Sequence, residues 1–315
     1  MPENFREAIA ASPLIFTIGV AGDSGSGKTT FTGTIRAILG EDLVSTITLD
    51  DYHTLDRLQR QERGITPLVP EANNLTLLAE HIAALKRGEE IRKPVYDHST
   101  GCFGEPAIFR PTKVVIFEGL HPFATPELKA LMDFTVFADP DEEVKYAWKL
   151  RRDMERRGYG HEEVLKEIRV RKPDYERYVA PQREEADAVI GIAPSVYERD
   201  GESLYSTTLS QRKLDRTLRN INLSFDLFAI NSLADRDFLF EFRHTEMGGR
   251  PVGALTIDGE PPADLISSLE RTLEEQTGAC SPGMYAGRDY VTATEMTGLL
   301  LAWRIINRRV FMETS

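Results

Sequence analysis

An apolar, β-prone run from Leu14 to Ala21 leads directly into Gly22-Asp23-Ser24-Gly25-Ser26-Gly27-Lys28-Thr29, and a helix-compatible stretch from Thr30 to Leu39 follows and stops at Gly40. No other feature constrains the fold as strongly. The turn fits G-x-x-x-x-G-K-[ST], in which glycines let the backbone approach a phosphate and successive N–H groups point inward. The N-terminus of the following helix adds its partial positive charge to the same spot. In such a loop Lys28 reaches the β- and γ-phosphates, and the Thr29 hydroxyl is a Mg2+ ligand. The nucleotide is expected on Gly22, Asp23, Ser24, Gly25, Ser26, Gly27, Lys28, Thr29 and Thr30. A Gly/Ser linker has a similar composition but lacks the strand before and the helix after.

The rest of the chain must say what the loop is used for. Its 315 residues allow one large or two modest domains, with 41% hydrophobic and 28% charged residues, an ordinary balance for a globular protein. A net charge of −12 argues against generic binding to nucleic acid or an acidic membrane, yet allows a local basic pocket. Cys102 and Cys280 are too few for a disulfide framework. No apolar run reaches the length of a membrane span, and Met1 to Pro13 lacks the basic and apolar regions of a signal peptide, so a cytoplasmic location is expected.

Strand and helix patterns alternate through the first two thirds. Strands are expected at Asp42–Leu49, Lys113–Phe117, Phe134–Ala138 and Ala186–Ile192, and helices at Asn74–Gly88 and Asp141–Arg157. Thr54 to Pro70 reads as loop with a short helix, and Pro94 to Pro111 as hairpin or loop over the site. The fold class is therefore α/β, a doubly wound, mostly parallel sheet of the P-loop NTPase/kinase type, with ligands at the carboxyl ends of the strands. The phosphate loop, Asp50, Glu118 and Asp139 all fall at such ends. From about Ser195 the character changes. Strands at Ser203–Leu209, Ser224–Ala229, Phe238–Arg243 and Val252–Ile257, and helices at Ala263–Thr277 and Thr292–Phe311, suggest an α+β extension. The expected division is a lead-in over 1–13, a kinase core over 14–194 with a lid around 149–175, and an extension over 195–315 that could belong to the same compact unit.

Phosphoryl transfer needs a metal, cationic clamps and a positioned acceptor. Glu118 ends a buried strand where a metal-organising carboxylate is expected; a solvent-facing acid is the bland alternative. Asp50 and Asp51 both end a strand. Either could orient or deprotonate an acceptor hydroxyl, or merely cap a helix, and chemistry alone does not choose between them. Lys149, Arg151, Arg152, Arg156 and Arg157 would ordinarily be a solvated helix face. In an enzyme that screens a triphosphate they instead suggest a lid, which Gly158 and Gly160 would let move. His53 and His98 lie in loops expected near the site, whereas His81, His161 and His244 do not, and His121 would support the turn after Glu118. No Cys/His cluster has zinc-ligand spacing.

The segments G-D-S-G-S-G-K-T-T-F, L-D-D-Y-H-T-L-D-R, K-P-V-Y-D-H-S-T-G, I-F-E-G-L-H-P, and W-K-L-R-R-D-M-E-R-R-G followed by R-K-P-D-Y, together spanning about Leu14 to Pro194, resemble the phosphoribulokinase/uridine kinase family on its phosphoribulokinase side. That resemblance implies Mg2+-dependent transfer of the γ-phosphoryl of ATP to O1 of D-ribulose 5-phosphate, giving D-ribulose 1,5-bisphosphate and ADP. It places the catalytic base on Asp50, the metal acid on Glu118, the sugar-phosphate contacts on His53, Arg57 and His98, and the catalytic lid cations on Lys149, Arg152 and Arg157 beside Lys28. It also implies a homodimer. Where plant-type members carry regulatory cysteines, this chain has Ser26 and Thr48, so that thiol switch is absent, and Cys102 and Cys280 have no matching role. A uridine kinase or another family kinase is the nearest alternative, and a nucleotide-responsive binding protein without turnover a more distant one.

Overall fold

The computed structural model describes residues 5–157, 160–197, 199, 203–212, 235–267, 270–271, 283 and 285–314. Two compact units emerge, one built from 14–32 and 44–187, the other from 1–13, 33–43 and 188–315.

In the first unit the long strands are β1 (Phe16–Ala21), β2 (Val44–Thr48), β7 (Val114–Gly119) and β8 (Phe134–Pro140), hydrogen-bonded in the order β2-β7-β1-β8. Every neighbouring pair is parallel. The continuous apolar runs make this arrangement: β1 and all of β7 but Glu118 are buried, as strands covered on both faces must be. Between these strands lie two short antiparallel ladders, β3 (Ile91–Lys93) with β6 (Ala107–Phe109) and β4 (Tyr96–Asp97) with β5 (Cys102–Phe103). β4, β5 and β6 fall in the Pro94–Pro111 stretch expected as hairpin or loop, and β3 lies just before it.

The helices of the described residues include, in chain order, α1 (Phe5–Ala11), α2 (Lys28–Leu39), α3 (Arg57–Arg63), α4 (Leu75–Lys86), α5 (Pro126–Leu131), α6 (Glu142–Arg157), α7 (His161–Asp174), α8 (Gln182–Glu185) and α9 (Ala293–Thr314). α2 starts at Lys28, two residues before the sequence expectation, because the phosphate-loop residues already close its first turn. α3 is set by a capping box in which Asp56 accepts from Gln59 N–H and Gln59 accepts from Asp56 N–H. Gly64 ends it in the left-handed region at φ 63°. In α4, Leu78, Ala79, Ile82 and Leu85 turn one face onto Ile47, Val115 and Phe117, which forms the core on that side of the sheet.

The register aligns the strand ends. Val20 is level with Glu118, Ala21 with both Gly119 and Phe137, and Thr48 with Glu118. The phosphate loop, the turn after β2, Glu118 and Asp139 therefore all lie at the carboxyl ends of these parallel strands, as the sequence expectation requires.

The second unit carries β9 (Ala188–Pro194), β10 (Tyr205–Arg212), β11 (Phe238–Met247) and β12 (Arg250–Gly259), all antiparallel neighbours. The tight hairpin between β11 and β12 uses Gly248 and Gly249 at φ 58° and 68°, the backbone a two-residue turn demands. Ile257, Ala263, Ile266, Val291, Met296 and Leu299 form its core. The unit boundary differs from the sequence division at 194. β9 pairs with β10 from Ala188 to Pro194, so it groups with the strands that follow it. The strand expected at Ser224–Ala229, Cys280 and most of the helix expected at Ala263–Thr277 lie outside the described residues; 263–267 is helical. Among the described residues, no helix is long and apolar enough to cross a membrane.

Candidate active site

The turn after β1 is held open by backbone that only glycine adopts easily. Gly22, Gly25 and Gly27 have φ of 151°, 82° and 83°. A Cβ on Gly22 would lie 2.6 Å from Ser26 Oγ and 2.7 Å from the Ala138 carbonyl oxygen. Lys28 Nζ donates to the carbonyls of Gly22 (3.0 Å) and Asp23 (2.6 Å), which folds its ammonium back over the loop. Burial lowers the affinity of Lys28 for its proton, against the opposing charges of Glu118, Asp23 and Asp50. Ser24, Gly25, Lys28 and Thr29 face the cleft. Ser26 is buried, and Thr30 is exposed in the first turn of α2, where its N–H bonds to Gly27 O.

Glu118 is shared by two threonines. Thr29 Oγ1 donates to its Oε1 at 2.7 Å and Thr32 Oγ1 to its Oε2 at 2.8 Å. The two residues expected to hold a divalent cation are thus already in contact. One alcohol and one carboxylate, both hard oxygen donors, suit Mg2+, which takes few protein ligands and fills the rest with phosphate oxygens and water. The described residues hold no cluster of three or more His, Cys, Asp or Glu side chains able to bind a metal.

Asp50 and Asp51 sit in one 3-10 turn, Leu49–Tyr52, but have different surroundings. Asp51 is buried: its Oδ2 takes the Lys93 ammonium and its Oδ1 accepts the Tyr96 N–H at 2.8 Å. It ties the β3–β4 segment to the end of β2. Asp50 faces the cleft, with His98 Nε2 at 3.1 Å from Oδ2 and His53 Nε2 at 3.5 Å from Oδ1. Burial alone would raise the proton affinity of Asp50. The hydrogen bond from His98 and the nearby Lys28 ammonium help to outweigh it, and the carboxyl is held well below the usual range.

Around this carboxylate Tyr96 acts as a hub. His53 and His98 stand edge-on to its ring with centroids 5.2 and 5.3 Å away, and the Arg60 guanidinium lies 5.4 Å over it. Arg60 Nη2 also donates to the Tyr96 hydroxyl at 2.9 Å. Arg57 Nη2 donates to the His98 carbonyl at 2.6 Å, and its backbone N–H to Gly101 O. His121 is buried and donates from Nε2 to Leu68 O; burial pushes its pKa down to about 4, which suits a neutral support for the turn.

α6 and α7 bring cations to the loop. Arg152 Nη1 donates to Ser24 Oγ at 3.0 Å and its Nε to Asp153, while Lys149 pairs with Glu167 at 3.2 Å. Arg171 bridges Asp23 (3.2 Å) and Glu167 (3.0 Å), and Lys145 lies 3.4 Å from Asp23. Although burial opposes it, Arg171 and Lys145 keep the Asp23 carboxyl below its ordinary range. The side chain of Arg157 and residue Gly158 are outside the described residues.

One cleft of about 860 Å3 runs from Ser24 and Lys28 past Asp50 to Arg57, Arg60 and Tyr96, walled by Glu163, Lys166, Glu167, Val170 and Arg171 of α7. Lys145, Arg171, Arg60, Asn73 and Tyr96 were not singled out by sequence reasoning. Tyr96 and Arg171 lie in the quoted motifs K-P-V-Y-D-H and R-K-P-D-Y, which was the available signal.

The model of the Phosphoribulokinase / Uridine kinase family matches residues 17–197. A phosphoribulokinase of Synechocystis sp. is 47% identical over 189 residues, 60% of this chain and 57% of that protein. A chloroplastic phosphoribulokinase of Mesembryanthemum crystallinum is 39% identical over 204 residues, 59% of this chain and 51% of that protein. The chain spans about half the length of the curated relatives it matches. The solved structure of phosphoribulokinase from Rhodobacter spheroides shares the fold, with a TM-score of 0.56 at 18% identity over 94% of this chain and 99% of the other. With strand-end carboxylates, a phosphate loop and a family match over more than half its residues, the chain belongs to the phosphoribulokinase/uridine kinase family.

Proposed function

We propose that the chain is a phosphoribulokinase, transferring the γ-phosphoryl of ATP to O1 of D-ribulose 5-phosphate. The observation that carries the choice of acceptor is a contrast in charge pairing across the cleft. On the donor side Lys149, Arg152 and Arg171 each have a carboxylate partner. On the acceptor side Arg57 and Arg60 bond to carbonyls and a phenol and make no ion pair among the described residues. Cations without a protein counter-ion suit an acceptor that brings its own anion, a sugar phosphate rather than a nucleoside.

In this reading the loop amides and Lys28 hold the β- and γ-phosphates, and Thr29 and Glu118 hold Mg2+, which supplies charge neutralisation when bound. Asp50 orients the O1 hydroxyl and accepts its proton as O1 bonds to the γ-phosphorus and the bond to the ADP oxygen breaks. A carboxylate of low proton affinity suits a transfer in which proton movement is late and positioning dominates. His53, Arg57 and His98 bind the sugar phosphate; Lys149, Arg152 and Arg157 screen the transferring group. The match over 17–197 supports reading 14–194 as the kinase core, with 149–175 as its lid and 195–315 as its extension. A cytoplasmic homodimer belongs to the same reading, and light scattering after size exclusion checks the dimer.

The test is ADP release with Mg-ATP and, separately, ribulose 5-phosphate, uridine, ribose 5-phosphate and pantothenate. Turnover with ribulose 5-phosphate is expected. Activity on uridine alone overturns the reading.

A further inference from the structure

His53 is almost wholly buried, yet its imidazole stands beside the Asp50 carboxylate, so the protonation of each ring nitrogen decides what the site can bind. Asn73 fixes one of them. The Asn73 amide nitrogen donates to two carbonyls, Pro67 O and Val69 O, each at 2.9 Å. Its other end is therefore the oxygen, and that oxygen lies 3.0 Å from His53 Nδ1. An amide oxygen only accepts, so Nδ1 carries a hydrogen. The backbone keeps the two residues in register: His53 bridges Asn73, Thr54 N–H bonds to Ala72 O and Asn74 N–H to Tyr52 O.

The remaining nitrogen, Nε2, is 3.5 Å from Asp50 Oδ1, longer than a donated N–H···O bond of ~2.7–3.2 Å. The groups facing His53 are Asp50 from its own turn, Arg60 from α3, Tyr96 and His98 from the β4 segment, and His121 after β7. Burial, then Arg60 and His98, oppose a second proton; Asp50 favours it, and the balance lies below the ordinary histidine value. Oδ2 of the same carboxylate already faces His98. Asp50 and His53 both line the cleft, and their Oδ1 and Nε2 are two adjacent acceptors.

We propose that Asn73 is a positioning residue that locks His53 as the Nδ1–H tautomer, so that His53 Nε2 and Asp50 Oδ1 together accept hydrogen bonds from two neighbouring hydroxyls of the phosphoryl acceptor. His53 then recognises a polyol rather than a phosphate charge. The inference rests on the kinase reading for its ligand, but its first test does not.

Nitrogen-15 NMR of the full chain with labelled histidine reads the tautomer directly. At pH 7 His53 should show a protonated Nδ1 and an unprotonated Nε2, and should titrate below ~6.5, the ordinary value. An Nε2–H tautomer or an imidazolium at pH 7 overturns the proposal even if ribulose 5-phosphate is turned over. The expected tautomer, with turnover of another acceptor only, would leave it standing and remove the phosphoribulokinase reading. Asn73→Asp places a carboxylate on Nδ1 and should raise the His53 pKa by at least one unit, about tenfold in the imidazolium ratio. Turnover should then fall about two- to threefold at pH 7 and recover by pH 9, a rising limb that in the native enzyme lies at lower pH. A uniform loss at every pH is the signature of mere structural damage and counts against the assignment.

Discussion

Exchanging each of the two adjacent aspartates for asparagine separates positioning chemistry from architecture. Asp51 is 4% and Lys93 16% exposed as side chains, and they pair with each other. In Asp51→Asn the new side chain keeps an oxygen for the Tyr96 N–H but strands a buried ammonium, at a cost of ~3–5 kcal/mol. For a domain of this size that lowers the melting temperature by ~6–20 °C. Asp50→Asn should instead lower kcat by ~10²–10⁴, the contribution of a positioned base, or about 3–5 kcal/mol in the barrier. Its effect on melting should be pH-dependent, unlike that of Asp51→Asn at neutral pH, which comes from a stranded ammonium. Because the folded-state pKa of Asp50 is depressed, its contribution to stability is present above the unfolded carboxylate range, ~4, and is lost as the pH falls further. The melting gap between native and Asp50→Asn protein should therefore be visible at pH 7 and close in acid. ADP-release kinetics and melting curves measure both variants. An Asp51→Asn protein that melts like the native one but loses turnover as Asp50→Asn does would exchange the two roles.

Arg57→Ala should raise the KM for the sugar phosphate more than that for ATP, since its side chain touches only the His98 segment and the acceptor end of the cleft; equal rises would move Arg57 out of the acceptor pocket. Glu118→Gln removes the one carboxylate beside Thr29 and should raise the Mg2+ needed for half-maximal rate by at least ~10–100-fold, the loss typical of a mere outer-shell partner; an unchanged Mg2+ dependence refutes its role. Gly22→Ala forces a Cβ into Ser26 Oγ and Ala138 O at positive φ and should abolish nucleotide binding in titration calorimetry.

Local sequence carried much of this architecture. The apolar run of β7 and the strand–loop–helix of Leu14 to Leu39 act within a few residues, so their patterns are readable, and the register then brings Glu118 to the phosphate loop. What stayed open was decided at long range. By side-chain chemistry Asp50 and Asp51 are equivalent and only the motif favours the first; in the fold Lys93 and Tyr96, more than forty positions away, hold Asp51, while His53 and His98 face Asp50. Asn73 matters to His53 because two turns pair across twenty residues. The Pro94–Pro111 stretch has the breakers of a loop, but its backbone groups find partners in two short ladders. β9 looks in sequence like a last parallel strand; its antiparallel pairing with β10 depends on residues beyond it.

The donor-side ion pairs create a cost for binding ATP. Lys149 and Arg171 both rest on Glu167, and Arg171 and Lys145 on Asp23. To meet a triphosphate these cations must exchange carboxylates for phosphate oxygens. Burial favours a neutral Glu167, yet Lys149 and Arg171 keep it ionised, so the pairs hold at neutral pH. Glu167→Gln removes that competitor without touching the cations. With Glu167 39% exposed, solvent screening limits each pair to ~0.2–1 kcal/mol. ATP should therefore bind about two- to fivefold more tightly to Glu167→Gln, within the range those energies allow. Two like charges left close together should at the same time lower the melting temperature in the absence of ATP. Titration calorimetry and melting with and without ATP read both effects. Weaker ATP binding with unchanged melting would show that Glu167 orients the cations for the nucleotide instead of competing with it.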